Sequence, residues 1–242
     1  MFDFHSHILP GIDDGSQSVK ESLNLLRESA RQGVTAMAAT SHFYASEHSP
    51  KEFLAKRNAA WKQLEPHLEA GMPEIRLGAE VHYFEGIARS EDVCMLRIEG
   101  TSLLLVEMPM SRWTSRMVDA LLDLNSRPDT TVLLAHIERY LSMQDRKTWK
   151  LLRSEGVKMQ VNASFFWNPR TRRKALGMLK KKEIHALGSD CHNMENRPPR
   201  LADAKREISA RLGKEALIWL RRQERCLLEP VEWQTSEFRS EL

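Results

Sequence analysis

Short apolar segments alternate with longer amphipathic ones along the chain. Seven segments rich in aliphatic and aromatic residues predict strands at Met1–His5, Val34–Thr40, Ile75–Val81, Leu103–Glu107, Thr131–His136, Val157–Ala163 and Ile184–Ser189. Segments with apolar residues at helical spacing predict helices from Ser18 to near Gly33, from Ser49 towards Gly71, and at Ser115–Asn125, Arg146–Glu155, Pro169–Lys182, Leu201–Leu212 and Lys214–Leu227.

Capping residues mark the starts of three of these helices. Ser18 stands three residues before Glu21, which is the pattern of a capping box. Ser49 precedes a proline, and Asn168 precedes Pro169, so each pair predicts a cap followed by the first helical residue.

The alternation of strands and helices predicts an α/β fold with parallel strands joined by right-handed crossovers. The strands are nearly continuous apolar runs, as expected when helices cover the sheet. A closed barrel of about seven strands and an open doubly wound sheet both fit this pattern. No glycine-rich phosphate loop follows the first strand, which disfavours the nucleotide-binding form of the open sheet.

Composition narrows the class of protein. The chain has 242 residues, a length that suits one domain of barrel size, and its 36 basic and 33 acidic residues leave a net charge of only +3. This balance does not indicate nucleic-acid binding. Three dispersed cysteines fit a reducing cytoplasm. No apolar run is long enough for a membrane span, and the N-terminus lacks the pattern of a signal peptide.

Nine histidines and carboxylates fall at or just after the carboxyl ends of six predicted strands. They are His5, His7, Asp14, His42, Glu80, Glu107, His136, Asp190 and His192. The loops at this end converge in α/β barrels. One such residue alone is ordinarily a hydrogen-bonded polar residue, but nine buried together need a common compensating charge. A bound cation would supply that charge.

Five imidazoles and four carboxylates favour particular metals. This mixture of nitrogen and oxygen ligands suits Mn, Fe or Zn, and it contains too many histidines for calcium or magnesium. Nine ligands exceed what one ion uses, so we expect two or three divalent ions. Clustered ions favour in-line displacement at phosphorus, and hydrolysis of a phosphoester is therefore the predicted chemistry.

Several motifs resemble the polymerase-and-histidinol-phosphatase (PHP) superfamily, and more narrowly its bacterial protein tyrosine phosphatases of the capsule and exopolysaccharide type. Six segments carry the resemblance. Their first residues are Asp3-Phe4-His5-Ser6-His7, Thr40-Ser41-His42, Gly78-Ala79-Glu80, Val106-Glu107, Ala135-His136-Ile137-Glu138-Arg139-Tyr140 and Gly188-Ser189-Asp190-Cys191-His192. The resemblance covers about residues 1–228.

This resemblance implies a distorted (β/α)7 TIM-like barrel, the PHP fold, in a single domain with a trinuclear and typically manganese site. It assigns His5, His7, Glu80 and Asp190 to the first ion, Glu80, Glu107 and His136 to the second, and Asp14, His42 and His192 to the third. It also implies that Arg139 and Arg197 grip the phosphate, in keeping with the match between guanidinium groups and phosphate oxygens.

The implied substrate is the phosphotyrosine tail of a cognate bacterial tyrosine kinase, with an effect on capsule or exopolysaccharide synthesis. We expect a cytoplasmic enzyme of residues 1–228, followed by a polar tail at 229–242. The alternatives are a PHP small-molecule phosphatase of the histidinol-phosphate type and a non-catalytic regulatory module with a structural metal cluster.

Two segments complicate this interpretation. After the sixth strand the family usually carries a glycine-containing segment, whereas this chain continues from Asn162 into Phe165-Phe166-Trp167. The three aromatic residues either stack on a phosphotyrosine ring or pack between strand and helix. Cys191 and Arg197 have the Cys-x5-Arg spacing of thiol-based phosphatases, but no glycine lies between them, so we expect the thiol mechanism to be absent.

The four other histidines have simpler explanations. His48 and His67 are expected on or near a helical surface, and His185 in the seventh strand among buried neighbours. His82 lies two residues after Glu80 and is a candidate for the rim of the site.

Overall fold

A curled parallel sheet with helices packed against it forms the molecule. The computed structural model describes residues 1–229. Its strands are β1 (Phe2–Ser6), β2 (Ala36–Ala39), β3 (His42–Phe43), β4 (Glu74–Leu77), β5 (Glu80–His82), β6 (Leu103–Glu107), β7 (Thr131–Leu134), β8 (Lys158–Asn162) and β9 (Ala186–Gly188). Its α-helices are α1 (Val19–Arg31), α2 (Pro50–Leu64), α3 (Ser115–Asn125), α4 (Arg146–Ser154), α5 (Ser164–Trp167), α6 (Arg172–Lys180) and α7 (Leu201–Leu228).

The strands form two parallel ladders that continue into one another. One ladder has the order β1-β2-β4, and the other has the order β3-β5-β6-β7-β8-β9. They join where the Gly78 amide donates to the Ala39 carbonyl at 2.9 Å and the Glu80 amide donates to the Ser41 carbonyl at 3.0 Å. The predicted α/β class with parallel strands is therefore confirmed.

The outer strands of the two ladders, β1 and β9, also lie side by side. The Asp190 amide donates to the His5 carbonyl at 2.8 Å, and the His7 amide donates to the Cys191 carbonyl at 2.9 Å. These bonds curl the sheet round and place the segments that follow β1 and β9 next to each other. Because all the strands are parallel, their carboxyl ends open towards the same side.

Two predicted strands are each interrupted. The segment Val34–Thr40 was expected as one strand, but the ladder stops after β2 and resumes at β3; Ile75–Val81 likewise divides into β4 and β5. The second break falls at Gly78, where a Cβ atom would lie 3.1 Å from Ile98 Cγ1. Glycine lets the chain pass close to Ile98 at this point, and the carboxyl-terminal piece pairs in the second ladder instead of the first.

The apolar residues of the strands pack in two layers. Inside the curl, Phe4, Leu105, Leu133 and Ala186 belong to one buried cluster together with Leu227 of α7. The alternate strand residues, such as Leu104 and Val132, pack against the helices in a larger cluster. Both faces of the sheet are thus buried, which explains the nearly continuous apolar runs in the sequence.

The helix starts agree with the predicted caps at two of three positions. Ser49 and Glu52 form a complete capping box at the start of α2. Ser18 Oγ accepts from the Glu21 amide at 3.2 Å, but the Glu21 carboxylate accepts from the Gln17 amide instead of the Ser18 amide, so that box is only half formed.

The prediction that Asn168 caps a helix with Pro169 at its first position was wrong. Residues Ser164–Trp167 form the short helix α5, and Asn168 lies at its C-terminal end, where its side chain accepts from the Arg170 amide at 3.0 Å. Because Phe165 and Phe166 are buried, this turn of chain packs into the core before α6 begins at Arg172.

The last helix contains the predicted break. Helix α7 spans both predicted segments, and Gly213 within it has φ 74° and ψ −173°, which separates two helical halves. Most of the predicted polar tail at 229–242 lies outside the described residues. Within residues 1–229, no helix combines the length and apolar character needed to cross a membrane.

Candidate metal centre

The structure brings all nine predicted ligand residues together at the carboxyl ends of the strands. Each belongs to at least one group of three or four residues whose nitrogen or oxygen atoms lie within 4.8 Å of one another. The groups are His7, Asp14, His42 and His192; His5, His7 and Asp190; His5, Glu80 and His136; and His42, Glu80 and Glu107.

The innermost set lies where β1 meets the segment after β9. His5 Nε2 and His7 Nε2 are 3.1 Å apart, and Glu80 Oε2 lies 3.1 Å from the first and 3.3 Å from the second. Asp190 Oδ1 lies 3.6 Å from His5 Nε2 and 3.5 Å from His7 Nε2. Four donor atoms therefore converge on one point.

Glu80 connects this set to a second one. While Oε2 faces His5 and His7, Oε1 lies 2.8 Å from His136 Nε2. Glu107 Oε1 lies 3.4 Å from the same His136 nitrogen. The carboxylate of Glu80 thus presents one oxygen to each set.

A third set lies nearer to solvent, around Asp14. Asp14 Oδ1 lies 3.4 Å from His42 Nε2 and 3.4 Å from His192 Nε2. The other ring nitrogen of His42, Nδ1, lies 3.0 Å from Glu80 Oε2. Asp14 is largely exposed, whereas His192 is buried, so this set lies at the mouth of the site.

A carboxylate and an amide oxygen hold the ring nitrogens of His7 and His5 that face away from the cluster. His7 Nδ1 donates to Asp13 Oδ2 at 2.8 Å, and His5 Nδ1 lies 3.4 Å from Gln160 Oε1. Such contacts fix the ring orientation and direct Nε2 into the cluster, which is the usual support of a metal-binding histidine.

His136 and His192 are held in the same way. Tyr140 Oη lies 3.3 Å from His136 Nδ1, and the Asp190 carbonyl lies 3.1 Å from His192 Nδ1. In all four imidazoles, Nε2 is therefore the nitrogen that points into the cluster.

Asp13 supports the site and was missed by sequence reasoning. Its carboxylate also accepts from the amides of His42 at 2.9 Å and Gly15 at 3.0 Å, and a Cβ at residue 15 would collide with His7. The hydrogen bond and charge of His7 outweigh burial and hold the pKa of Asp13 well below its usual range. The adjacent pair Asp13-Asp14 was the available signal, but only Asp14 was assigned a role.

Strand β8 supplies two further supporting residues. Gln160 Oε1 accepts from the His136 amide at 2.6 Å, and its amide nitrogen donates to Asn162 Oδ1 at 2.9 Å. Asn162 Nδ2 then donates to Asp190 Oδ2 at 2.7 Å. Both His136, at φ 29°, and Asp190, at φ 54°, have strained backbones that these bonds help to hold.

Both predicted phosphate-binding arginines reach the cluster. Arg139 donates to Asp190 Oδ2 at 2.8 Å, and Arg197 lies 2.7 Å from Asp190 Oδ1. Arg139 also lies 3.6 Å from Glu107, and Arg197 lies 4.0 Å from Asp14. Each guanidinium side chain is about one-third exposed, at 35% and 38%, so both remain open to an anion from solvent.

The histidines around Glu80 favour the ionised form of its buried carboxylate. Burial alone would raise the pKa of Glu80, but the charge of His5, the hydrogen bond from His136 and the close imidazole of His42 hold it well below its usual range. Burial lowers the pKa of His7, yet Asp13 and Glu80 outweigh it and raise the pKa to about 10. The pKa of His136 is lowered, mainly by burial.

Three buried atoms in the cluster have no hydrogen bond. They are Glu80 Oε2, His42 Nδ1 and His192 Nε2. An unpaired buried polar atom costs about 1–3 kcal/mol, so native proteins rarely leave several in one place. A divalent cation would accept the lone pairs of these atoms, and the mixed nitrogen and oxygen set fits a transition metal.

Comparison with known proteins identifies the family. The family model described as "Capsular polysaccharide synthesis, CpsB/CapC" matches residues 1–225. This chain belongs to the CpsB/CapC family. It is 30% identical over 225 residues to the tyrosine-protein phosphatase CpsB of Streptococcus agalactiae serotype III (strain NEM316), a match that covers 89% of this chain and 92% of that protein.

Two solved structures share the fold of this CpsB/CapC chain. One, from work on YwqE of Bacillus subtilis and CpsB of Streptococcus pneumoniae, described as unique metal-dependent tyrosine phosphatases, has a TM-score of 0.83 at 22% identity and covers 96% of both chains. The other is histidinol phosphate phosphatase of Lactococcus lactis with zinc, L-histidinol and phosphate, with a TM-score of 0.55 at 13% identity, covering 89% of this chain and 93% of that one.

Cys191 is unsuited to the thiol mechanism. The side chain is fully buried, and burial raises the pKa of its thiol far above its usual range. A thiol-based phosphatase needs the opposite, an accessible thiolate of lowered pKa. The Cys-x5-Arg spacing in this CpsB/CapC chain is therefore coincidental.

The aromatic segment after β8 divides between core and surface. Phe165 and Phe166 are buried, as in the packing alternative, so they cannot stack on a substrate ring. Trp167 is half-buried, and the guanidinium of Arg200 lies 4.1 Å from its ring centroid.

Three of the other histidines take the places expected of them, whereas His185 lies before its strand and not within it. His67 is exposed and His48 half-buried, while His185 lies mostly buried just before β9. His82 Nδ1 lies 3.1 Å from Glu107 Oε2, so His82 contacts a candidate ligand at the rim.

Proposed function

We propose that this CpsB/CapC-family chain is a metal-dependent protein tyrosine phosphatase. The observation that carries the proposal is the position of Glu80, whose two carboxylate oxygens face two separate sets of histidine and carboxylate donors. The two arginines, Arg139 and Arg197, flank the same carboxylate of Asp190 at the open side. A cluster that holds cations and an adjacent anion clamp is suited to a phosphate ester.

Two or three divalent ions would occupy the three sets, with Mn the preferred metal and Fe or Zn the alternatives. His5, His7, Glu80 and Asp190 would hold the first ion, Glu80, Glu107 and His136 the second, and Asp14, His42 and His192 the third. When bound, the ions supply Lewis-acid stabilisation of phosphate charge and a water of lowered pKa. The second ring nitrogens, held by groups such as Asp13 and Tyr140, keep the histidines aligned for this task.

Arg139 and Arg197 bind the phosphate in this proposal. Their guanidinium groups match phosphate oxygens in geometry and oppose the charge that develops on them in the transition state. Substrate phosphate would take over the hydrogen bond that Asp190 now accepts from Arg139 and the ion pair that it forms with Arg197. Because these donors are already in place, little reorganisation is needed on binding.

The scaffold is proposed to be a distorted (β/α)7 barrel of the PHP type. If β2 with β3, and β4 with β5, are counted as two interrupted strands, the nine strands become seven. The hydrogen bonds between the segments around His5 and Asp190 support closure of the ring. The interruptions account for the distortion.

The proposed substrate is the phosphotyrosine-bearing tail of a cognate bacterial tyrosine kinase in the cytoplasm, with capsule or exopolysaccharide synthesis as the regulated process. The relatives named tyrosine-protein phosphatase and the family description support this assignment.

The decisive experiment compares substrates on metal-depleted protein reconstituted with manganese or zinc. We expect hydrolysis of a phosphotyrosine peptide, restored by metal and at least 100-fold faster than hydrolysis of histidinol phosphate. The reverse preference would identify a small-molecule phosphatase. Bound metal without hydrolysis of either substrate would identify a regulatory module.

A pair of variants tests the metal mechanism against the thiol mechanism. We expect His136→Ala to lower kcat on the phosphotyrosine peptide by about 10³-fold or more, since it removes a metal-binding group. We expect Cys191→Ser to retain most of the activity, because the buried thiol takes no part. An inactive Cys191→Ser protein that folds normally, together with an active His136→Ala protein, would refute the metal mechanism.

A further inference from the structure

A basic groove lies between α4 and α6. Its volume is about 620 Å³, and Leu141, Trp149 and Met178 contribute apolar side chains to its lining. Its charged lining residues are Arg146, Arg153, Arg173, Lys174, Lys181 and Glu183. Five cations and one carboxylate in a single groove contrast with the nearly balanced charge of the whole chain, which is +3.

Most of these cations lack an acidic partner within residues 1–229. Arg153 pairs with Glu183 at 3.4 Å. No carboxylate of the described residues lies at ion-pair distance from Arg146, Arg173, Lys174 or Lys181, and all four are exposed. Like charges held together in this way raise the local potential and attract an anionic ligand.

The groove starts at the same end of the sheet as the candidate metal centre. Leu141 lies in its lining, two residues after Arg139, which contacts Asp190 of the cluster. Arg146 is the first residue of α4, and Arg173 lies in the first turn of α6. Both helices follow strands β7 and β8, so their first turns lie at the same end of the sheet as the candidate ligands.

We propose that this groove binds an acidic stretch of the same polypeptide that presents phosphotyrosine to the metal centre. The inference rests on the proposed function and adds a substrate preference to it. An extended peptide that leaves Arg139 would meet Arg146, Arg173 and Lys174 before it reached Lys181. Its acidic side chains would face these cations, while apolar side chains would contact Leu141 and Met178.

The shape and lining favour a peptide over other anions. Single-stranded nucleic acid is bound by basic grooves with open aromatic faces, and the aromatic residue in this groove, Trp149, is only 6% exposed. A bilayer surface requires an exposed basic face flanked by apolar residues that insert, whereas these cations line a concavity.

The test uses two phosphotyrosine peptides that differ only in flanking residues, one with four glutamates and the other with four glutamines. A groove variant carries Arg146→Glu, Arg173→Glu and Lys174→Glu. All three residues lie in the first turn of a helix, where glutamate is favoured, so we expect the variant to fold. The matched control carries Lys20→Glu, Lys51→Glu and Arg116→Glu, which lie in the first turns of α1, α2 and α3.

We expect the unaltered protein to prefer the acidic peptide by about tenfold in kcat/KM at low salt, chiefly through KM, with the preference lost at high salt. The groove variant should lose this preference, whereas the control should keep it. Free phosphotyrosine, which is too short to reach the groove, reports on the metal centre alone. Equal use of both peptides, or the same loss in the control, would overturn the proposal.

Binding of the unphosphorylated acidic peptide, measured by fluorescence anisotropy, separates this inference from the proposed function. If no phosphate ester is hydrolysed but the peptide binds and the groove variant does not bind it, docking stands and the proposed activity fails. If phosphatidylglycerol vesicles or a single-stranded oligonucleotide displace the peptide and bind at lower concentration in a groove-dependent way, the peptide is the wrong ligand.

Discussion

The arrangement of single side chains around the histidines determines which nitrogen each imidazole offers to the cluster. A histidine has two ring nitrogens, and the hydrogen bond at one decides which of them keeps a free lone pair. For His7 the deciding contact is the carboxylate of Asp13, at 2.8 Å from Nδ1. Asp13 also binds the backbone amide of His42, so one buried carboxylate orients parts of two candidate ligands.

We predict that Asp13→Asn weakens metal binding by about 10–100-fold, the range typical for loss of such a supporting group. Asparagine has one acceptor oxygen, whereas Asp13 uses two, Oδ2 for His7 and His42 and Oδ1 for Gly15, so one side of this network is lost together with the charge that strengthens the bond to His7. Metal affinity measured against a competing chelator would detect the change, with kcat at saturating metal as a second measurement.

Glu47→Gln provides the control for Asp13→Asn. Glu47 lies near the same mouth but is exposed and belongs to none of the four candidate ligand groups. We expect its affinity for metal to remain within about twofold of the unaltered protein, since exposed charges contribute little. Equal losses in both variants would show that net charge, and not the orientation of His7, governs binding.

At the scale of elements, strand β8 and helix α7 each support the structure in a way that their own sequences only partly indicate. Strand β8 provides none of the nine candidate ligands, yet Gln160 and Asn162 bind the strained residues His136 and Asp190. Helix α7 bends at Gly213 and places Leu227 against the interior of the curled sheet. Both roles depend on residues whose backbone φ angles are positive, a region that most residues rarely adopt.

Two glycine substitutions test this dependence with opposite expected signs. Gly213 has φ 74° and ψ −173°, a region open essentially to glycine, so Gly213→Ala should destabilise the protein by about 1–3 kcal/mol. Gly177 lies inside α6 with no atom within 4 Å of its missing Cβ, so Gly177→Ala should stabilise by about 0.5–1 kcal/mol.

Denaturant unfolding monitored by circular dichroism would measure both changes in the free energy of unfolding. A stabilised Gly213→Ala protein would mean that α7 can run straight through residue 213, and that the bend is not required to place Leu227.

At the scale of the whole molecule, the curled sheet and its helices bury polar groups outside the candidate metal centre as well as within it. His185 precedes β9, and its Nδ1 accepts from the Met159 amide at 3.1 Å. Burial, reinforced by Lys158 and Arg153, lowers the pKa of His185 to about 4. The folded protein therefore holds this imidazole neutral at pH values where the unfolded chain would protonate it.

We predict that His185 makes the protein less stable as the pH falls from about 6.5 towards 4. In that window the unfolded chain binds a proton that the folded chain excludes, so the free energy of unfolding falls with pH, by up to roughly 3 kcal/mol for this group. His185→Asn keeps an acceptor for the Met159 amide but cannot titrate.

Comparison of urea unfolding at pH 7 and pH 4.5 would measure the effect on metal-free protein. The loss on acidification should be smaller in His185→Asn than in the unaltered protein. His67→Gln, at an exposed position, should leave the loss unchanged. An unchanged loss in His185→Asn would assign the acid sensitivity to other groups.

The sequence alone predicted the parallel α/β class, most elements and the gathering of the nine candidate ligand residues. It could do so because buried strands need apolar runs and because parallel strands bring their carboxyl ends to one edge. Strand β6 and helix α3 have the predicted bounds, since strong local patterns define them. The interruptions at β2–β3 and β4–β5 were not predicted, because they follow from the curl of the whole sheet.

What only the tertiary structure decided is how residues far apart in the chain support one another. Gln160 and Asn162 have no local pattern that marks them, and the supporting contacts of Asp13 and Tyr140 likewise appear only when each is found against a candidate ligand. The choice of candidate ligands follows from residue type and strand position, which are properties of the sequence. Orientation, strain and the charged groove between α4 and α6 follow from contacts between elements, and hydrophobic patterning alone does not specify these.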